Sequence, residues 1–236
     1  MRWPLPFPSR AIGASRTPRR VVARSSWPGR VATRTWPSSC ANQSETNHVV
    51  RLFLAINLPP EVRHAIVDAT APLRTIAPNL SWVREPQLHL TVKFLGEQSE
   101  DVATQVAEAM RPVGERNRAI GVEVGGIGAF PNFRRPRVVW IGVTPDPKLE
   151  LLQHDVESVC ESLGLPVEGK PFRPHLTLAR VKPRSADLRI LRELSRAAQE
   201  VDYVEEIVIG SVDVMESELT TSGSRYRVLA SVPLRD

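Results

Sequence analysis

The sequence predicts an α+β fold of two pseudo-symmetric lobes around a central cleft, each lobe with an antiparallel sheet and helices. Three observations lead there. A histidine and a threonine two residues apart, set among aliphatics, occur twice, in Leu88-His89-Leu90-Thr91-Val92 and Pro174-His175-Leu176-Thr177-Leu178. The two histidines are 86 residues apart, close to half of the 188 residues in 49–236. Several neighbouring strand candidates also have no helix between them, which favours antiparallel pairing over a doubly wound parallel sheet. Residues 49–236 are expected to form this bilobal domain, and each lobe to contribute one motif strand, the two strands facing one another across a groove.

Taken in order, residues 1–48 read as no ordinary folded element. Prolines 4, 6, 8, 18, 28 and 37 interrupt any helix, and Trp3, Trp27 and Trp36 follow no period. The segment is arginine-rich and acid-poor, as organelle transit peptides are. Arg19-Arg20 before Val21-Val22-Ala23 distantly resembles a twin-arginine signal, although Arg24 cuts the apolar run short. A disordered extension, or sequence upstream of the true start, is the reading preferred to targeting.

Val49 to Leu58 is an apolar strand candidate ended by Pro59-Pro60. Val62, Ala65, Ile66, Ala69 and Leu73 recur at helical spacing from Glu61 to about Ala77. Leu80 to Arg84 is short and extended, and Gln87 to Leu95 is the first motif strand, closed by Gly96. Ser99 is an N-cap type followed by acids, which opens a helix bearing Val102, Val106, Ala109 and Met110 on one face. Ile120, Val122 and Val124 alternate as a strand running into Gly125-Gly126-Ile127-Gly128, expected to be a flexible loop. Val138 to Val143 is a strand, and Pro147 to Leu163 a helix stopped by Gly164 and Pro166. The second motif strand spans about Phe172 to Arg180, followed by a helix from Leu188 to Ala198 and strands from Ile207 to Val214 and Tyr226 to Val232.

Charge and cysteines narrow the function classes. Residues 1–48 hold eight arginines and one acid, Glu45. Removing these from the 31 basic and 26 acidic residues of the chain leaves 23 and 25, a net of −2 for the body. The high isoelectric point belongs to the tail, so a general nucleic-acid-coating surface on the folded part is not expected. Cys40 and Cys160 make neither a disulfide framework nor a metal site, which points to a reduced, cytoplasmic setting. No apolar run approaches the length of a bilayer span. A monomer is the default expectation.

Along a strand, alternate side chains point to opposite faces, so His89 projects with Thr91, and His175 with Thr177, while the interleaved aliphatics face the core. A single histidine on a strand is more often a hydrogen-bonded structural residue than a catalyst. Two copies in one context change that balance. Neither motif contains a third metal ligand, and no metal is expected. Two equivalent threonines argue against a covalent mechanism, which needs one nucleophile. Paired imidazoles suit general acid–base work, because with an unperturbed pKa near 6.5 one takes a proton while the other gives one. In-line displacement at phosphorus needs those groups on opposite sides, and the hydroxyls of Thr91 and Thr177 then bind phosphoryl oxygens. Arg180 would add a charged contact to the same phosphate, but its parity is opposite to that of His175. It must lie past a twist, bulge or strand end to reach the site; the alternative is a solvated strand terminus.

The paired motifs resemble those of the two-histidine (2H) phosphoesterase superfamily. Further segments resemble its RNA 2′,3′-cyclic phosphodiesterase branch, also called 2′-5′ RNA ligase: Arg51-Leu52-Phe53-Leu54-Ala55-Ile56, the extension Lys93-Phe94-Leu95-Gly96, Ala129-Phe130-Pro131, Arg137-Val138-Val139-Trp140, Arg173-Pro174 with Ala179-Arg180, and Tyr226-Arg227-Val228-Leu229-Ala230. The resemblance covers about 50–234 in the expected order, without the tail. It implies the bilobal fold, no cofactor, and hydrolysis of RNA terminal 2′,3′-cyclic phosphates to 2′-phosphomonoesters, with reversible 2′-5′ ligation as a possible companion. RNA ends or nucleoside 2′,3′-cyclic phosphates would be the partners. Carried over, His89 is the acid that protonates the departing 3′ oxygen and His175 the base that activates water. Thr91, Thr177 and Arg180 bind phosphate. Phe130 stacks on a terminal base, with a core phenylalanine as the alternative. Arg134, Arg135 and Arg137 either track the RNA backbone or form a solvated turn. A non-catalytic module that binds RNA or nucleotide phosphates is the competing reading.

Overall fold

The computed structural model of the chain describes residues 21–23, 49–182, 187–220 and 223–236. Its strands are β1 (Val21–Ala23), β2 (Val49–Asn57), β3 (Ser81–Trp82), β4 (His89–Ser99), β5 (Ile120–Phe130), β6 (Val138–Val143), β7 (His175–Arg180), β8 (Val204–Ile209), β9 (Ser211–Thr220) and β10 (Gly223–Pro233). Its helices are α1 (Pro60–Ala69), α2 (Ala71–Ile76), α3 (Glu100–Ala109), α4 (Arg111–Arg116), α5 (Pro147–Ser162) and α6 (Leu188–Glu200).

The fold is α+β, and the strands form one sheet in the order β1-β8-β5-β6-β7-β4-β2-β9-β10, with β3 beside β7. Two halves, β8-β5-β6-β7 and β4-β2-β9-β10, mirror one another in this order. They join where β4 meets β7, through the antiparallel pair Leu90 and Leu176. The motif strands are therefore neighbours in a shared sheet, not strands of separate sheets facing across a gap. Each has one edge unused by its own half, and pairing those edges satisfies backbone groups that would otherwise be left open.

Helices cover one face of this sheet. Leu54, Ile56, Leu90, Val92, Ile141, Leu176, Leu178 and Val214 pack there against Val62 and Ile66 of α1, Val106 of α3, and Leu152 and Val156 of α5. Each fully buried aliphatic of this kind contributes about 1.5–3 kcal/mol relative to exposure. A second cluster joins Leu73 of α2 and Leu191, Leu194 and Ala198 of α6 to Val139 and Ala179. The opposite face carries a small buried apolar cluster of Phe53, Ala55 and Met215, flanked by Tyr226.

Several elements differ from the sequence reading for identifiable reasons. The helix expected over 61–77 is two helices, because Pro72 lacks an N–H and cannot continue the ladder. Thr70 sits at the break, its hydroxyl donating to Ile66 O at 2.7 Å. Beyond the helix read as far as Met110 lies a further short helix that was not expected, α4, with Pro112 in its first turn. The first motif strand does not stop at Gly96; it runs on to Ser99, with Gly96 at φ +77° taking a backbone turn closed to most side chains. The glycine-rich stretch 125–128 is not a loop but the middle of β5. Gly128 lies under the Trp140 ring from β6, and a Cβ there would collide with the indole. The strand expected over 207–214 is β8 and β9, parted at Gly210.

Within the segment expected to hold no folded element, Val21–Ala23 forms a short strand parallel to β8, in register with Ile207–Ile209. An edge strand with open N–H and C=O groups is a template for such an addition. The other expectations for residues 1–48, Cys40 included, lie outside the described residues. Among the described residues, no helix is long and apolar enough to cross a membrane.

One ion pair is buried beneath the first motif. Lys93, 1% exposed, donates from Nζ to Glu157 Oε1 at 2.6 Å and to Pro166 O at 2.8 Å. Glu157 Oε1 also accepts the Glu168 N–H, tying the segment before β7 to β4. Lys93→Met leaves this carboxylate without its cation and is expected to cost about 3 kcal/mol, read as a lower denaturation midpoint at unchanged m-value.

Candidate active site

The antiparallel pair Leu90–Leu176 sets the geometry. Stepping one residue either way brings His89 level with Thr177, and Thr91 level with His175, so the two motifs are related by a local two-fold through that pair. Leu90 and Leu176 are buried against the helices. Alternation therefore turns both histidines and both threonines to the other face, where all four are half-buried.

Both imidazoles are held the same way. His89 Nδ1 lies 2.8 Å from Gln87 O, and His175 Nδ1 lies 2.6 Å from Arg173 O. A carbonyl oxygen only accepts, so each Nδ1 carries the hydrogen and donates. Each Nε2 is left to take a proton when the ring is neutral and to give one when it is charged. Gln87 has a second task. Its side-chain amide donates to Ser224 O on β10, which also accepts from Arg84 Nη2 at 3.2 Å.

Aromatic rings fix each histidine from the side. His89 packs edge-on to Tyr226 at 5.2 Å and tilted to Phe53 at 5.1 Å. His175 packs edge-on to Phe130 at 5.0 Å, with Trp140 at 6.3 Å. Phe130 itself is half-buried and lies against Trp140 at 5.1 Å, with the Arg173 guanidinium over its ring at 5.9 Å. It thus borders the site beside His175 and is neither a core residue nor a free-standing platform.

The parity problem of Arg180 has a structural answer. Trp140 pairs with Thr177, but Val139 pairs with Ala179, so Leu178 is an extra residue in β7. Leu178 and Ala179 are both buried in succession, and Arg180 returns to the face of His175 and Thr177. β4 has the same irregularity one residue after its threonine: Ala55 pairs with Thr91 and Leu54 with Lys93, which makes Val92 the extra residue.

Burial and charge act on the imidazoles in one direction. Desolvation pushes His89 below the ordinary histidine range, and the positive charges of Arg180 and His175 push it further. Desolvation also lowers His175, again with Arg180 adding to it. The bonds from Nδ1 to the carbonyls oppose the shift in both rings. Arg180 is thus close enough for its charge to be felt at both.

The remaining sequence candidates lie elsewhere. Arg134, Arg135 and Arg137 are exposed in the turn between β5 and β6, where Asn132 Oδ1 accepts the N–H groups of the first two. Cys160 is buried and its thiol is pushed up to about 11, chiefly by desolvation. Among the described residues, no three His, Cys, Asp or Glu side chains are grouped to hold a metal ion.

Residue-by-residue reading missed the supports of the site: Phe53, Trp140, Gln87 and the pair Asn57–Asp213. Asn57, which pairs with His89 in register, donates from Nδ2 to Asp213 Oδ2 at 2.7 Å. Asp213 is fully buried, and desolvation raises its carboxyl above the usual range. The signal for Phe53, Ala55 and Asn57 was their common parity on β2, but which strand lay beside β2 was not visible.

Comparison with known proteins places the chain in a family. Residues 59–218 match the 2′-5′ RNA ligase superfamily. A protein of Aeropyrum pernix named RNA 2′,3′-cyclic phosphodiesterase is 34% identical over 172 residues, 72% of this chain and 92% of that protein. The crystal structure of TT0787 of Thermus thermophilus superposes with a TM-score of 0.66 at 30% identity, covering 78% of this chain and 98% of that one. Escherichia coli LigT complexed with 3′-AMP shares the fold, with a TM-score of 0.64 at 23% identity, covering 80% and 100%. With two histidine motifs meeting on one sheet and a profile match over most of the domain, the chain belongs to the 2′-5′ RNA ligase superfamily.

Proposed function

We propose that the protein is a metal-independent RNA 2′,3′-cyclic phosphodiesterase, with residues 49–236 as its catalytic unit. The observation that carries this is the pair of imidazoles, each donating Nδ1–H to the carbonyl two residues before it and each offering Nε2 to a common face. The name of the Aeropyrum pernix relative supports the substrate class.

In this reading the cyclic phosphate of an RNA end or a nucleoside binds between the motifs. Thr91 and Thr177 donate hydroxyl hydrogens to its non-bridging oxygens, and Arg180 balances its charge. Phe130 contacts the substrate from beside His175. Neutral His175 takes a proton from water at Nε2 as the water oxygen bonds to phosphorus. The bond from phosphorus to the 3′ oxygen breaks, and protonated His89 gives its Nε2 hydrogen to that oxygen. The product is a 2′-phosphomonoester; the same steps with a 5′-hydroxyl in place of water form a 2′-5′ phosphodiester, and their reverse returns the cyclic phosphate and the 5′-hydroxyl. Positive charge at Arg180 disfavours a protonated ring in the empty site, and the bound phosphate anion offsets it, which makes the acid available when substrate is present.

His89→Ala and His175→Ala are each expected to lower kcat by about 10³-fold, and activity is expected to survive a chelator. The assay is turnover of a nucleoside 2′,3′-cyclic phosphate with the product isomer identified. Near-normal activity in either variant removes the paired mechanism, and binding without turnover by the wild type leaves only a phosphate-binding module.

The pH profile is a separate test. The kcat/KM curve reports the free enzyme, in which both imidazoles are lowered, so its bell is expected on the acid side of the ordinary value near 6.5. Arg180→Ala removes a positive neighbour from both rings, raises both, and moves the bell to higher pH while weakening turnover. An unmoved bell separates Arg180 from the site.

A further inference from the structure

The body of the chain is nearly neutral, yet its charges are sorted. β6 and β7 are neighbours in the sheet, and the stretches that build them, 124–145 and 169–182, contain no Asp or Glu. They hold seven cations. Val138 pairs with Arg180, so the β5–β6 turn and the end of β7 lie side by side. Five of the cations gather there: Arg134, Arg135 and Arg137 in the turn, Arg180 at the strand end and Lys182 just beyond it. All five are exposed. β4 runs the opposite way to β7 and leads to Glu97 at the other end of the groove. That end is balanced. Lys170 and Arg173 share it with Glu168, and a cleft there is lined by Arg51, Arg227, Glu97, Glu216 and Glu218, four cations and four acids in all.

Exposed arginines elsewhere have partners: Arg51 with Glu97, Arg196 with Glu200 and Arg227 with Glu216. Among the described residues, none of the five gathered cations lies within ion-pair distance of a carboxylate. The turn that carries three of them is built rather than loose. Asn132 Oδ1 accepts the N–H groups of Arg134 and Arg135 at 2.9 and 3.2 Å. Phe133 packs on the second core cluster, and Pro136 is buried. The Arg137 N–H donates to Phe130 O at 2.7 Å, and Arg137 O accepts the Val181 N–H at 2.9 Å, next to Arg180. Like charges held together without counter-ions repel one another, and a polyanion laid across them relieves that repulsion.

We propose that the β5–β6 turn carries the RNA 5′ to the cyclised nucleotide, its phosphates passing from Arg180 over Arg137 to Arg134 and Arg135. The proposal rests on the phosphodiesterase reading above. A 2′,3′-cyclic phosphate closes a chain at its 3′ end, so every other phosphate lies to one side of it. The groove offers two ways out, and the Arg180 end is the one whose cations are free of acids. Beyond the Val138–Arg180 pair, the seven residues of the turn fold back within about 12 Å. That reach confines the contact to the phosphates nearest the cyclised end. Such a surface reads backbone charge, not bases. It therefore prefers an RNA chain, whatever its sequence, to a free nucleoside cyclic phosphate.

The test compares a long ligand with a short one across a range of salt. A single-stranded oligoribonucleotide ending in a 2′-phosphate and adenosine 2′-phosphate are each bound to wild type, to the double variant Arg134→Ala/Arg135→Ala, and to Arg51→Ala/Arg227→Ala, which removes the same charge at the other end. The turn variant is expected to weaken the oligoribonucleotide and to lower the slope of log K against log salt by about 1.4, two phosphate contacts at about 0.7 each. Adenosine 2′-phosphate is expected to bind it as it binds wild type, which also shows that the variant is folded. The Arg51/Arg227 variant is expected to keep the wild-type slope. Equal weakening of both ligands, an unmoved slope in the turn variant, or the same fall in both variants overturns the proposal. So does poly-glutamate that displaces the oligoribonucleotide at matched charge, which makes the turn a site for acidic protein. Turnover of a nucleoside 2′,3′-cyclic phosphate is followed in parallel: a wild type that turns nothing over defeats the phosphodiesterase reading, while the path of the RNA is decided by the salt slopes.

Discussion

The site depends on one backbone contact, the pairing of Leu90 with Leu176 that joins two half-sheets. Every other strand pairing lies within a half or adds an edge to it. At this pair the chain brings together residues 86 positions apart and sets them in antiparallel phase. The phase matters as much as the proximity. Had the strands run parallel, each histidine would lie level with its like, and two rings would compete for one side of a bound phosphorus. Antiparallel pairing instead sets each imidazole level with the other motif's threonine, so that rings and hydroxyls alternate around the groove.

Electrostatics then decides what two identical groups are able to do. The carbonyls of Gln87 and Arg173 hold the same tautomer in both rings. Burial and Arg180 act against positive charge on each, and His175 adds its own effect on His89. The difference between the rings comes from surroundings: Tyr226 and Phe53 at one, Phe130 and Trp140 at the other. Symmetry supplies the pair, and departures from symmetry give its members unlike surroundings.

Much of this was legible because a strand has a period of two. That period put His89 with Thr91 and His175 with Thr177 before any fold was known, and its failure at Arg180 called for a bulge or strand end, which is the extra residue Leu178. The class of fold was legible from the absence of helices between neighbouring strands. What the period does not carry is which edges pair. The motif strands were therefore expected to face each other, although they lie side by side. Gly125 to Gly128 read as a loop because the partner of Gly128, the Trp140 ring, belongs to another strand. The break at Pro72 was written in the sequence, but apolar spacing that carried on to Leu73 hid it. Phe53, Asn57 and Asp213 needed the sheet order before their faces had any meaning.

Gln87 joins two parts of the molecule that strand order keeps apart. Its carbonyl steadies the ring of His89, while its side-chain amide grips the backbone of the β9–β10 hairpin at Ser224. Tyr226, two residues beyond that grip, lies against the same imidazole. Hairpin and ring are thus geared to a single residue, so displacement of one is transmitted to the other. The short stretch from that grip to the tyrosine therefore sets where the His89 ring sits.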